Sequence, residues 1–167
     1  AEQVVAALQA GKNVFVEKPL CLSFEELAQI EQAYHEARKD HPVRLMVGFN
    51  RRFSPLTLTC RQQLSSSNAP CSIIVTVNAG KIPADHWAQD YASGGGRLIG
   101  EGCHFIDLIR YLTGSPIVSV QTTSMPNPQT PDLAPDTLSL TLACRDGSIG
   151  TVHYFANGCK DFPKERI

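Results

Sequence analysis

Two short apolar runs set the strongest limit on what this chain can fold into. Val14-Phe15-Val16 and Arg44-Leu45-Met46-Val47-Gly48 flank an amphipathic segment. In that segment, about residues 24–39, Leu27, Ile30, Ala33, Tyr34 and Ala37 share one helical stripe. Ser23 and Glu26 form a capping box at its start, with Glu26 reaching back. Buried-type strands joined through a helix run parallel, because a parallel pair needs a long crossover. A further helix over residues 2–10, ended by Gly11, precedes the first strand. The first fifty residues therefore read α-β-α-β, the pattern of a parallel α/β sheet. Two strands are too few for such a sheet to stand alone.

The pattern then changes. Ser54-Pro55 starts a helix running to about Leu64, and Ser72 to Val77 is a β-branched strand. Residues 80–96 are irregular and end in Gly94-Gly95-Gly96, and a helix over about 101–112 follows, closed by Gly114. Residues 117–123, 137–144 and 148–155 read as strands, the last two joined at Arg145-Asp146-Gly147 by a hairpin turn. The stretch from Pro126 to Pro135, with four prolines, reads as a loop. The fold class expected is α/β with α+β character. The tail of a parallel sheet, residues 1–48, is followed over 49–167 by an open, mostly antiparallel sheet backed by helices. The chain lacks an initiator Met, and its end, KDFPKERI, reads as the approach to another strand. It is expected to be part of a longer protein, with the second domain truncated.

Composition narrows the classes of function. A net charge of −1 gives no electrostatic reason for a nucleic-acid or anionic-membrane partner. No apolar run approaches the roughly 20 residues that span a bilayer. The opening residues lack the basic start and apolar stretch of a signal peptide. The six cysteines show no metal-ligand spacing and read as free thiols of a reducing cytoplasm.

Several residues stand where chemistry is done. Lys18 lies just past the end of the first strand, where ligands bind in open α/β sheets, and precedes Pro19. An X-Pro bond there gives a fixed turn that would aim the ammonium group; the plain alternative is a surface lysine. His104 and Asp107 share a helix face directly after the glycine-rich loop. His104 is either an acid or base near neutral pH or a histidine packed under that loop. Asp107 either orients it or pairs with Arg110. Arg51 and Arg52 offer carboxylate- or phosphate-binding forks, or are solvated. Trp87, among Asp85, His86 and Asp90, suits a sugar ring or a place in the core. His86 and His104 with Asp85 or Asp107 have no specific metal spacing, and no metal is expected. No G-x-G-x-x-G occurs, and Gly94-Gly95-Gly96 lacks that spacing.

AALQAGKNVFVEKPL, VGFNRRFSP and GGGRLIGEGCHFIDLIRYLTG together resemble the glucose-fructose oxidoreductase, inositol dehydrogenase and rhizopine catabolism (Gfo/Idh/MocA) family. The likeness covers essentially the whole chain. It implies that residues 1–48 are the C-terminal part of a dinucleotide-binding Rossmann domain. Residues 49–167 would form a substrate-binding and oligomerisation domain, with homo-oligomers made through its sheet. The implied reaction is hydride transfer between NAD or NADP and a hydroxyl-bearing carbon of a sugar or sugar nucleotide. By the same resemblance Lys18 and His104 are catalytic, and Glu17, Lys18 and Pro19 border the cofactor. Arg52, Trp87, Glu101 and Asp107 stand on the substrate side.

One position departs from the family pattern. Many of its dehydrogenases carry an aspartate four residues before the histidine, where this chain has Gly100 followed by Glu101. Either Glu101 substitutes or the lysine and histidine work alone. GEGCHFIDL with YFANGCKDFPKERI resembles family members fused behind an alcohol dehydrogenase-like module and linked to polysaccharide biosynthesis. Two other functions stay open: NAD-assisted glycoside cleavage without net redox change, and a non-catalytic assembly or binding module. The isolated chain is expected to be inactive.

Overall fold

The computed structural model describes residues 1–67, 69–126, 135–159 and 161–167. Contacts divide the chain into two compact units, Ala1–Phe49 and Asn50–Ile167.

In the first unit, α1 (Glu2–Gln9) leads into β1 (Val14–Val16), α2 (Phe24–Asp40) and β2 (Leu45–Val47). The strands pair in parallel, Val14 opposite Leu45 and Val16 opposite Val47. Helix α2 begins where the capping residues place it, with the Ser23 hydroxyl accepting from the Glu26 N–H at 3.1 Å. The Glu26 carboxylate reaches one residue further back than a capping box requires and accepts from the Leu22 N–H at 2.7 Å. Val4 and Leu8 of α1 pack with Ile30, Ala33 and Ala37 of α2, and Val14, Val16 and Leu45 close this core from the strand side. Strand side chains alternate faces, so the register partners Phe15 and Met46 point the other way and are exposed.

The second unit opens with a 3₁₀ turn, Asn50–Phe53, and α3 (Pro55–Ser65), capped by the Ser54 hydroxyl on the Thr57 N–H. β3 (Ser72–Asn78), α4 (Cys103–Thr113), β4 (Ile117–Ser124), β5 (Leu138–Cys144), β6 (Ile149–Phe155) and β7 (Glu165–Arg166) follow. The five strands lie in the order β4-β5-β6-β3-β7. Every neighbouring pair is antiparallel except β3 with β6, which run parallel. The end of the chain, expected only to approach a strand, itself adds the edge strand β7 beside β3. The proline-rich loop expected from Pro126 to Pro135 lies, at residues 127–134, outside the described residues.

One face of this sheet carries the core. Ile73, Val75 and Val77 of β3, Leu138, Leu140 and Leu142 of β5, and Val152 and Tyr154 of β6 meet α4. That helix buries Phe105, Leu108, Ile109 and Leu112, each worth about 1.5–3 kcal/mol of transfer free energy. The other face is built of Thr151, His153, Thr141, Ser139, Ile74 and Ile149, of which Thr141, Ile74 and Ile149 are exposed. His153 Nδ1 and Ser139 Oγ hydrogen-bond across it at 2.8 Å.

Helix and sheet approach closely at Gly150 in β6. A Cβ there would lie 2.4 Å from Ile109 Cγ2. Only glycine lets the branched side chain above it seat. Gly150→Ala should therefore destabilise the second unit by about 1–3 kcal/mol through overpacking. A thermal melt lowered by several degrees is the expected reading, and an unchanged melt would show that α4 can lift at no cost.

Candidate active site

The Glu17-Lys18-Pro19 segment leaves the carboxyl end of β1, and the Lys18–Pro19 peptide is cis. The parallel neighbour ends beside it, with the Gly48 N–H donating to the Val16 carbonyl at 2.8 Å. A Cβ on Gly48 would stand 3.1 Å from Glu17 Oε2, so the glycine makes room for the glutamate side chain. Lys18 and Pro19 are half-buried and Glu17 is exposed. The first unit thus gathers Glu17, Lys18, Pro19 and Gly48 at the carboxyl ends of two parallel strands, the edge at which α/β sheets bind ligands.

In the second unit the site is organised around the start of α4. The chain between the short 3₁₀ turn Trp87–Gln89 and α4 is tightly folded. A Cβ on Gly94 would sit 2.6 Å from the Trp87 carbonyl oxygen, and Gly95 and Gly96 have φ of 70° and 76°. The first glycine answers a close backbone approach, and the other two a left-handed backbone that side chains resist. The chain then enters a π-helical turn, Leu98–Gly102, that runs directly into α4. His104 is the second residue of α4 and is buried, with 6% of its surface exposed. That burial suits both roles weighed for it.

Asp107, one turn on, settles its open pairing with a third partner. It neither pairs with Arg110 nor is held for His104 alone. Arg52 grips it with a two-pronged guanidinium fork, Nε to Oδ2 at 2.6 Å and Nη2 to Oδ1. The Arg52 fork also stands over the Tyr111 ring, 5.4 Å from its centroid. Arg51 pairs with Glu165 of β7 and lies 4.7 Å over Phe105. Consecutive arginines thus tie the turn after the first unit to α4 and to the edge strand.

Glu101 is likewise committed. The Tyr154 hydroxyl donates to Glu101 Oε2 at 2.5 Å and Arg97 Nη2 donates to the same oxygen at 3.2 Å, while Lys164 lies 3.4 Å from Oε1. Arg97, itself buried, also donates to the Tyr154 hydroxyl at 2.9 Å and the Gly80 carbonyl at 2.9 Å. Burial works to raise the Glu101 carboxyl, but the Tyr154 hydroxyl, then Arg97 and Lys164, outweigh it and hold it below the ordinary glutamate range. Burial, and then the hydrogen bond to Glu101, push the Tyr154 phenol far above the ordinary tyrosine range. Arg97, Tyr154 and Lys164 were not among the residues singled out from sequence. The spacing of Arg97 and Glu101, four apart, was a readable signal for one pair. Tyr154 comes from β6, more than fifty residues away, and carried none.

Trp87 is 65% exposed, so it is not a core residue, and its ring lies 5.7 Å from the His86 ring. Among the described residues no three His, Cys, Asp or Glu side chains gather as a metal site. None of the six cysteines is in a disulfide.

A depressed carboxyl pKa stabilises the fold above the ordinary glutamate range, and that stabilisation is lost as pH falls through the folded value. Glu101→Gln should therefore lower the melting temperature at pH 7. The gap to the unsubstituted protein should close on acidification below about pH 4. Melts across pH 7 to 3 check this; a gap that persists at the acid end would mean that the Glu101 charge contributes nothing.

Comparison with known proteins agrees with this layout. The family model for the GFO/IDH/MocA C-terminal domain matches residues 70–162, and that for the oxidoreductase family, NAD-binding Rossmann fold, matches residues 1–49. Inositol 2-dehydrogenase 2 of Saccharopolyspora erythraea is 34% identical over 163 residues, covering 93% of this chain and 44% of that protein. The scyllo-inositol 2-dehydrogenase (NAD(+)) of Bacillus subtilis is 34% identical over 122 residues, 71% of this chain and 33% of that protein. Among solved structures, an oxidoreductase domain protein from Kribbella flavida superposes with a TM-score of 0.76 at 26% identity, covering 95% of this chain and 48% of that one. The chain spans less than half the length of each.

Proposed function

This chain belongs to the GFO/IDH/MocA oxidoreductase family, and we propose that the protein carrying it transfers hydride between NAD or NADP and a sugar or sugar-nucleotide hydroxyl carbon. The observation that carries the reading is Glu17-Lys18-Pro19 at the carboxyl end of a parallel strand, in a chain whose α4 begins with a buried histidine after a triple-glycine loop. Relatives named as inositol dehydrogenases support a polyol or sugar as substrate.

The residues present fit the nicotinamide side of a dinucleotide site. Glu17, Lys18 and Pro19 stand where such ligands meet a parallel sheet, and Gly48 leaves the neighbouring strand end uncrowded. When bound, NAD or NADP supplies the hydride acceptor or donor. Lys18 hydrogen-bonds the substrate oxygen and draws charge from it through its ammonium group. His104 takes the hydroxyl proton as the carbonyl forms and returns it in the reverse direction. Its burial keeps bulk water from that proton. Glu101 does not act as the missing aspartate in this reading. Its oxygens are occupied by Tyr154, Arg97 and Lys164, so it braces the π-turn that delivers His104. Arg52 and Asp107, forked to one another, hold the next turn of the same helix. Trp87 offers an exposed aromatic face for a sugar ring.

Homo-oligomers form through the uncovered sheet face, whose exposed Ile74 and Ile149 sit among small threonines that let a second sheet approach. No helix among the described residues is long and apolar enough to cross a membrane. Six cysteines without a disulfide support a cytoplasmic location. A role in polysaccharide biosynthesis rests on the family members that the GEGCHFIDL segment resembles.

In the intact protein, Lys18→Ala and His104→Ala should each lower kcat for NAD(P)-linked oxidation of a polyol or sugar by about 10²–10⁴-fold. Nicotinamide absorbance read alongside substrate loss is the assay. Substrate consumed with no net reduced nucleotide would replace this reading by glycoside cleavage, an intact protein without turnover whose biological effect survives loss of both residues would be a binding module, and full activity in both variants would overturn the roles given to Lys18 and His104. Thr151→Arg on the open sheet face should convert the oligomer to a smaller species in light scattering; an unchanged mass would place the interface elsewhere.

A further inference from the structure

The end of α4 remote from His104 carries a second concentration of charge. Arg52 from the Asn50–Phe53 turn, Arg61 from α3 and Arg110 from α4 line one cavity of about 310 Å³, together with Tyr111 and Ser115. No carboxylate is among the residues that line it. Arg110 lies roughly 9 Å further along the helix axis than His104, so this is a different place from the proposed reaction site.

Structural duties explain part of the cluster. Arg61 Nη1 donates to the Leu112 carbonyl at 3.0 Å, satisfying the helix end, and Arg110 sits in the last turn, where a cation is favoured. Arg52 uses Nε and Nη2 on Asp107. These duties do not use up the charge. A helix terminus offers about half a negative charge and Asp107 one, against three guanidinium groups. Asp146, whose carboxylate interacts with Ser115 at the edge of the lining, takes one more, so the cavity keeps about half a net positive charge, and donors remain on each arginine. Arg52 and Arg61 both stand over the Tyr111 ring, at 5.4 Å and 6.0 Å, which limits where their remaining N–H groups point.

Three forks arriving from three separate elements suit a tetrahedral group with several terminal oxygens. A carboxylate, with two oxygens in one plane, is filled by a single fork, as Asp107 is by Arg52. We propose that this cavity binds a dianionic phosphoryl group, that of inorganic phosphate or of a small phosphorylated metabolite. The proposal does not depend on the reaction inferred above.

Calorimetric titration of inorganic phosphate into the intact protein, with NAD in excess to occupy any dinucleotide cleft, tests it. Saturable binding is expected, weakened about tenfold by Arg110→Gln, whose exposed side chain leaves folding untouched, and similarly by Arg61→Gln. Tighter binding of glucose 6-phosphate than of phosphate would assign the metabolite, and equal binding the free anion. A heat that never saturates, or an affinity unmoved by Arg110→Gln, would overturn the proposal.

Discussion

The seating of α4 on the sheet of the second unit is the contact on which the rest depends. Phe105, Leu108, Ile109 and Leu112 are sealed against β3, β5 and β6, and the absence of a side chain at Gly150 sets how near the helix can come. With the helix fixed, its first turn holds His104 at one end, and its last turn carries Arg110 into the arginine-lined cavity at the other. The turn that opens the second unit is also held by this helix, through Arg52 on Asp107 and Arg51 over Phe105.

Apolar packing alone would leave the approach to α4 loosely defined, because that approach is glycine. Three consecutive glycines supply the close contact and the left-handed backbone, but they hold nothing in place by themselves. Rigidity comes instead from a polar cluster behind them. Arg97, Glu101 and Tyr154 share hydrogen bonds, and Arg97 also secures the Gly80 carbonyl, so the segment before the loop, the π-turn after it and strand β6 are joined at one point. Buried polar groups of this kind specify one arrangement only when every member is satisfied. Lys164, just before the edge strand, supplies the remaining counter-charge. Glu101 is thereby committed on both carboxylate oxygens to this cluster.

Most elements were legible because each rests on a local signal. The apolar runs gave β1 and β2, the Ser23 and Ser54 caps fixed where α2 and α3 begin, and Arg145-Asp146-Gly147 marked the hairpin between β5 and β6. Lys18 before Pro19, and the histidine after three glycines, could be read as candidate chemistry from position alone. The short strand β7 was missed because two residues bear no periodicity, and they become a strand only by pairing with β3. The partners of Asp107 and Glu101 were missed for a related reason: helical spacing offered Arg110, whereas the stronger fork came from Arg52, more than fifty residues earlier.

Sequence by itself therefore determined the order of elements, the change from parallel to mixed sheet near residue 49, and where the lysine and histidine candidates fall in those elements. These follow from hydrophobic period, capping and turn chemistry, all of which act over a few residues. Only the tertiary structure decided which strands became neighbours, including the parallel pairing of β3 with β6, and which charges neutralised which. Those choices depend on side chains far apart in the chain competing for the same partner. Distance and burial settle that competition once the core has formed.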